Sequence, residues 1–313
     1  MKIGVLMDPI ESINFKKDST LEMMWQAQQR DWQIIYFEQK DLFVDNGIAK
    51  VNAKRTQVMM DPKKWYEHQD SVTMNLGDID AILMRKDPPF DMEFIYTTYI
   101  LELAEKQGSL IVNKPQALRD CNEKAYTLWF PHLCPSNLVT RDNQQIREFI
   151  KEHQDIIVKP LDGMGGSSIF RIKENDPNIG VILETMTNYG EQFTLCQKYI
   201  PEIMQGDKRI LMVDGTPIDF ALARIPMQGE TRGNLAAGGT GVSKPLTARD
   251  REICAAVGPE LRKRGILFAG LDVIGDYLTE INVTSPTCIR ELNEQNNLDI
   301  AGTLMDAIEK SIN

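Results

Sequence analysis

Histidine is scarce here, and the three present, His68, His132 and His153, have no ligand or catalytic spacing. A His-rich metal site is thereby excluded, and no Ser/His/Asp or Cys/His constellation is available for nucleophilic catalysis. Five cysteines, an odd number without any Cys-x-x-Cys pair, exclude a disulfide frame or zinc ribbon. They point instead to reduced, mostly structural thiols and a cytoplasmic address. No apolar run approaches membrane-spanning length, and the opening Lys2–Met7 stops at Asp8-Pro9, too short for a signal peptide, so it reads as a first strand. Positive charge is in deficit, 35 Lys and Arg against 45 Asp and Glu, for a net charge of -10. That balance excludes a nonspecific nucleic-acid or anionic-membrane binder, so an anionic ligand must meet locally clustered arginines. Internal repeats and low-complexity tracts are missing as well. What remains is 313 residues with 42% hydrophobic and 26% charged content, the make-up of a soluble enzyme with two or three lobes.

Along the chain the hydrophobic period switches between two and 3.6. After the first strand, Ser19-x-x-Glu22 has a capping-box pattern and opens a helix to about Arg30, followed by a strand over Trp32 to Phe37. A hairpin is expected over 42–60 around Asn46-Gly47, then a buried strand Ile79 to Met84, a helix over 91–107 and a strand Leu110 to Val112. This alternation predicts an open, largely parallel sheet for residues 1–120. Beyond Cys121 the rhythm becomes strand, loop, strand: Ile156 to Lys159, a glycine-rich turn, then Ser168 to Ile172. Further strands are expected at Phe193 to Ile200, Arg209 to Val213 and Pro217 to Arg224, the last two joined at Asp214-Gly215 as antiparallel sheet. A final helix carries Leu304, Ile308 and Ile312 at four-residue spacing.

The most informative segment is Thr279-Glu280-Ile281-Asn282-Val283-Thr284-Ser285-Pro286. In a strand Glu280 and Asn282 share one face while Ile281 and Val283 enter the core, so two hard oxygen donors point the same way. Asp272 on the preceding strand is expected to join them as a magnesium set; the alternative is the solvated face of an edge strand. A three-residue loop, Gly275 to Tyr277, is expected, because it pairs 272 with 280 where a two-residue loop would not.

Upstream, Lys159 ends a strand and Gly163, Gly165 and Gly166 follow, a loop able to turn backbone N–H groups over an anion. The lysine precedes the glycines and a strand follows them, which excludes a Walker A loop and a Rossmann fingerprint. The alternative is a flexible hairpin with a snorkelling lysine. Residues 226–243 hold five glycines without apolar periodicity and read as a water-excluding lid containing Arg232, with Arg224 at its base. Arg85 follows a buried strand at the end where open sheets bind ligands, and with Arg209, Arg224 and Arg232 it would clamp a small, multiply anionic substrate.

Several segments together, Arg85 to Phe90, Asn113 to Gln116, Leu118 to Lys124, Lys159 to Gly166, Gly229 to Gly239 and Glu280 to Arg290, resemble the bacterial glutathione synthetases of the ATP-grasp superfamily across essentially the whole chain. The resemblance implies an α/β fold, α+β in its C-terminal part. It would comprise an N-terminal pre-ATP-grasp domain (1–120), a central lid domain (121–200) and a catalytic antiparallel-sheet domain (201–313). It implies that Lys124, Lys159, Gly163, Gly165, Gly166, Ser167, Gln197, Lys198, Tyr199, Ile200 and Asp207 bind ATP. Asp272, Glu280 and Asn282 would hold two Mg2+ ions, with Mn2+ as an alternative. Arg85, Arg209, Arg224 and Arg232 would bind substrate, the last three also serving catalysis. The implied reaction joins γ-glutamylcysteine to glycine through an acyl phosphate, in a homo-oligomer, a tetramer by resemblance. The chain departs from the family pattern at Ser167, where alanine is frequent, and at Thr240, where arginine is frequent. Two alternatives stand beside this reading: another ATP-grasp carboxylate-amine ligase, and a non-catalytic nucleotide-binding regulatory protein.

Overall fold

Three separate sheets organise the chain, and the computed structural model describes residues 1–163, 165–227, 229, 233 and 238–312. The first sheet grows from β1 (Lys2–Leu6), α1 (Ser19–Gln29), β2 (Gln33–Phe37), β3 (Leu42–Asp45), β4 (Ile48–Val58), β5 (Tyr66–Asn75), β6 (Ala81–Met84), α2 (Met92–Lys106), β7 (Leu110–Val112) and α3 (Pro115–Asp120). Its apolar strands β2, β1, β6 and β7 are parallel neighbours, as short apolar runs between helices predict. β3, β4 and β5 add an antiparallel extension, so the sheet is only in part parallel. β5 was not legible in the sequence because its residues are polar and largely solvated along one edge. The Asn46-Gly47 turn is as expected, with positive φ at both residues. At α1 the cap is Asp18, whose carboxylate accepts from Leu21 N at 2.6 Å. Ser19 is instead buried, its hydroxyl accepting from Ile289 N at 3.2 Å.

The second sheet comes from β8 (Asn137–Thr140), α4 (Asn143–His153), β9 (Asp155–Pro160), β10 (Phe170–Lys173), α5 (Ile179–Thr187) and β11 (Thr194–Lys198), in the order β10-β9-β11-β8. The third contains β12 (Asp207–Val213), β13 (Thr216–Ile225), β14 (Thr240–Pro245), α6 (Ala248–Arg264), β15 (Phe268–Ile274) and β16 (Tyr277–Asn282), followed by α7 (Ile289–Asn296) and α8 (Ile300–Ile312). It runs β14-β13-β12-β15-β16, antiparallel throughout.

The first and third sheets share their apolar cores. One cluster joins Leu6, Phe37 and Phe94 to Ile210, Leu271 and Ile281; another joins Val5, Leu21 and Leu83 to Leu304 and Ile308. The second sheet has a core of its own around Ile146, Ile156, Val158 and Leu183. Asn113 ties the first sheet to the third. Its amide donates to Phe268 O at 2.7 Å and Val283 O at 2.6 Å, and its oxygen accepts from Leu267 N and Phe268 N, both at 2.9 Å. A buried amide with both its donor and acceptor ends engaged is a strong positional constraint.

Candidate active site

The chemistry lies on one face of the third sheet because of cross-strand register. On β12, Asp207 and Arg209 are two residues apart; Asp207 pairs with Arg224 on β13, and Arg209 with Asp272 on β15. On β16, Glu280 pairs with Asp272, and Asn282 with Gly270. Directly paired residues point to the same face, so six polar side chains from four strands converge. Gly270 makes room for this, since a Cβ there would stand 2.8 Å from Arg209 Cδ.

The expected pairing of 272 with 280 is present, but its cause differs. The loop is the two-residue Gly275-Asp276, closed by Ile274 opposite Tyr277, and a bulge at Thr279 then resets the register. With Thr279 as the extra residue, Leu278 and Ile281 stay in the core while Glu280 and Asn282 face the cleft. The Thr279 hydroxyl donates to Asp272 O at 3.1 Å.

Arg209 grips Asp272 through Nε at 2.6 Å and its terminal nitrogen at 2.8 Å, and Arg224 adds a contact at 2.8 Å. Arg224 also bridges to Asp207. Two carboxylates therefore divide two guanidiniums. Burial favours the neutral acid at Asp272, yet the paired arginines hold its carboxyl well below the usual range. Asp207 goes the other way: burial, with Asp272 and Glu280 adding to it against Arg224, pushes it up to about 6. Its Oδ1 is buried without a hydrogen-bond partner among the described residues.

From the opposite wall come the lysines. Lys159 on β9 approaches Glu280 at 3.3 Å, and Lys124 approaches the same oxygen at 4.0 Å. Lys124 also bonds Glu123 and the carbonyl of Gly163. Burial disfavours its ammonium, but Glu280 and Glu123 outweigh that and hold its pKa above the ordinary value. Gly165 and Gly166 have positive φ, the conformation the anion-nest reading of this loop requires. Between the walls is a cavity of about 330 Å3 whose apolar side is formed by Ile157, Ile169, Ile200, Ile203 and Ile274. Gln197 lines it and carries a buried Nε2 that has no hydrogen-bond partner among the described residues. Tyr199 lines it too, under the Arg171 guanidinium at 3.6 Å.

Of the residues singled out from sequence, most of both the lysine set and the metal set border this cavity. Asp272 lies beneath it, under the arginines. Lys198 is exposed and does not line it. Neither does Arg85, which is buried with Nε on Thr20 at 3.1 Å and a terminal nitrogen on Pro286 O at 2.9 Å. It orients the Thr284–Cys288 loop that does. Arg232 lies outside the described residues. The 226–243 stretch is not all irregular, since Thr240 to Ser243 belong to β14. Glu123 received no role from the sequence; its place directly before Lys124 was the available signal. All five cysteines are buried, in keeping with structural thiols.

Among the described residues, no three His, Cys, Asp or Glu side chains form a ready metal cage. The donors that do converge, Asp272, Glu280 and the Asn282 amide, are hard oxygens, and each carboxylate already faces positive charge. A divalent cation fits that chemistry.

Solved structures with this architecture include D-cycloserine synthetase (TM-score 0.69, 13% identical, 99% of this chain and 100% of that one). D-alanyl-alanine synthetase A from Vibrio cholerae gives a TM-score of 0.61 at 12% identity, over 100% and 98%. The model for the prokaryotic glutathione synthetase ATP-grasp domain matches residues 123–297, and that for the N-terminal domain of the same enzymes matches 1–119. Fold and cleft thus define an ATP-grasp protein. Glutathione synthetase of Vibrio vulnificus is 59% identical over 312 residues, covering 100% of this chain and 98% of the relative, and that of Shewanella oneidensis is 58% identical over 309 residues, covering 99% and 98%. The chain belongs to the prokaryotic glutathione synthetase family.

Proposed function

We propose that this protein joins γ-glutamylcysteine to glycine at the expense of ATP, releasing glutathione, ADP and phosphate. The observation that carries the reading is the meeting of Lys124 and Lys159 at Glu280, above an Arg209–Asp272–Arg224 cluster and under a glycine loop. Such a site offers positive charge to phosphate, and the reaction needs no side-chain nucleophile, so catalysis is positioning and charge stabilisation. Lys124, Lys159 and the N–H groups of Gly163, Gly165, Gly166 and Ser167 hold the phosphates. Gln197 to Ile200 take the adenine, with the orphaned Gln197 amide as a donor, and Asp207 accepts from the nucleoside.

The cysteinyl carboxylate attacks the γ-phosphorus, forming a C–O–P bond as the bond to ADP breaks. Glycine's amine then attacks the acyl carbon and phosphate leaves. Arg209, Arg224 and Arg232 offset the charge on the transferred group, and Arg85 sets the substrate loop through Pro286. Asp272, Glu280 and Asn282 would hold two Mg2+ ions, or Mn2+. When bound, these ions supply charge neutralisation to the phosphate oxygens. Lobes 1–120, 121–200 and 201–313, a cytoplasmic homotetramer and the absence of nucleic-acid or membrane partners complete the reading. No helix among the described residues is long and apolar enough to cross a membrane.

The test is ligation assayed with ATP, magnesium, γ-glutamylcysteine and glycine, phosphate release being followed and the product weighed by mass spectrometry. Glutathione formed only with all four supports the proposal. ATP consumed without glutathione would mean another carboxylate-amine ligase, and no ATP consumption a regulatory nucleotide-binding protein.

A further inference from the structure

Asn282 has two possible amide orientations, and hydrogen bonding decides between them. In one, Nδ2 makes a single bond to Gly270 O at 3.4 Å, at the limit of a useful contact. In the other, Nδ2 donates to Glu123 Oε2 at 3.2 Å and Oδ1 accepts from Arg209 at 3.3 Å. Two bonds, each to a charged group, outweigh one long bond to a neutral carbonyl. The residue that tips the choice is Glu123, and its own position is well determined. Its backbone carbonyl accepts from Ile281 N at 2.8 Å, joining it to β16 one residue before Asn282. Its other carboxylate oxygen is held by Lys124, which also holds the glycine loop through Gly163 O.

We infer that Glu123 is a positioning residue for the cation site: it binds the Asn282 amide nitrogen and so turns the amide oxygen, the only end able to ligate a cation, toward the Arg209 side of the cleft. This rests on the proposed role of Asn282 as a cation ligand. An amide has a wrong face and a carboxylate does not, and that difference separates positioning from a general structural effect. Orienting groups behind metal ligands are worth about 10–100-fold in metal affinity.

The experiment measures Mn2+ binding in the presence of ADP by electron paramagnetic resonance of free Mn2+, alongside ADP affinity without metal. Glu123→Ala should weaken Mn2+ binding at least tenfold while metal-free ADP affinity shifts less than about threefold. Glu123→Gln, whose amide oxygen still accepts from Asn282, should keep most of the binding. In the double variant Glu123→Ala with Asn282→Asp, either carboxylate face ligates, and Mn2+ binding should recover relative to Glu123→Ala alone. Unchanged Mn2+ affinity in Glu123→Ala, or no recovery in the double variant, overturns the inference. If Asn282→Ala itself leaves Mn2+ affinity unchanged, the ligand role of Asn282 is what fails, and the positioning role falls with it.

Discussion

Replacing Asp272 with Asn should destabilise the metal-free protein by about 3–5 kcal/mol, whereas the same change at Asp207 should cost less than about 1.5 kcal/mol. Both carboxylates touch Arg224, so the difference follows from how the buried network divides its charge. Asp272 is 3% exposed and bonds both guanidiniums; neutralising it leaves Arg209 without an ion-pair partner among the described residues. Asp207, pushed up to about 6, is already neutral half the time at pH 6, and an Asn there resembles a state the native protein occupies. The sign of its pH effect follows. A carboxyl raised in the folded state binds its proton more tightly there than in the unfolded chain, so stability falls as pH rises from about 4 to 6. A displacement of about two pH units at 1.36 kcal/mol each amounts to about 3 kcal/mol. Thermal melts at pH 6 would measure the first contrast, with roughly 10 °C lost for Asp272→Asn at about 2–4 °C per kcal/mol. Urea melts of wild type and Asp207→Asn across pH would measure the slope, which the variant should lack. Equal losses for the two variants, or a wild-type minus Asp207→Asn difference that is flat with pH, would refute the charge division.

Three further perturbations follow from single contacts. Asn113→Ala leaves Val283 O and the Leu267 and Phe268 backbone groups unpaired and should cost about 3–4 kcal/mol in a urea melt. Gly233→Ala would place a Cβ 2.4 Å from Arg224 O and 3.1 Å from Asp207 Cβ, so kcat/KM should fall at least about tenfold with the melting temperature lowered by only a few degrees. Arg85→Met frees Pro286 O and Thr20, and steady-state kinetics should show KM for γ-glutamylcysteine rising more than KM for ATP, because the loop it holds lines the cleft but Arg85 itself does not.

How legible the site was depends on the range of the contact concerned. The shared face of Glu280 and Asn282 follows from strand alternation and could be read directly, whereas the pairing of Asp272 with Glu280 was expected from a three-residue loop and is reached through a two-residue loop and a bulge. The bulge at Thr279 could not be read, because Thr is an ordinary strand residue and nothing local marks it as the extra one. The Ser19-x-x-Glu22 pattern placed the helix start but named the wrong cap, because Ile289, 270 residues away, draws Ser19 into a buried contact and leaves capping to Asp18. The Arg209–Asp272 grip was invisible for the same reason, since it spans 63 residues and depends on β12 lying between β13 and β15. Glycine density announced the loop over the cleft, whereas Glu123 had no role in the sequence and its contact with buried Lys124 brings it into the site.

The cleft is charge-matched before any ligand enters, and this gives Glu280 two opposing roles. Lys124 and Lys159 are 3% and 5% exposed, and a buried ammonium without a counter-charge is strongly disfavoured. Glu280 supplies that charge to both. In the proposed reading, nucleotide phosphates arriving at the lysines would replace one anion by another, and Glu280 would be released to face a cation instead. Removing its charge should therefore move two affinities in opposite directions. In Glu280→Gln Lys124 keeps Glu123 while Lys159 loses its ion-pair partner among the described residues, so metal-free ADP should bind tighter, by about three- to tenfold if one partly buried pair is worth about 1 kcal/mol. Mn2+ binding to the ADP complex should weaken by tenfold or more with the loss of a proposed ligand. Isothermal titration of ADP with and without the metal separates the two. Weakening of both affinities together would refute this competition, and would mean that the contacts of Glu280 with the lysines hold them in place for the nucleotide.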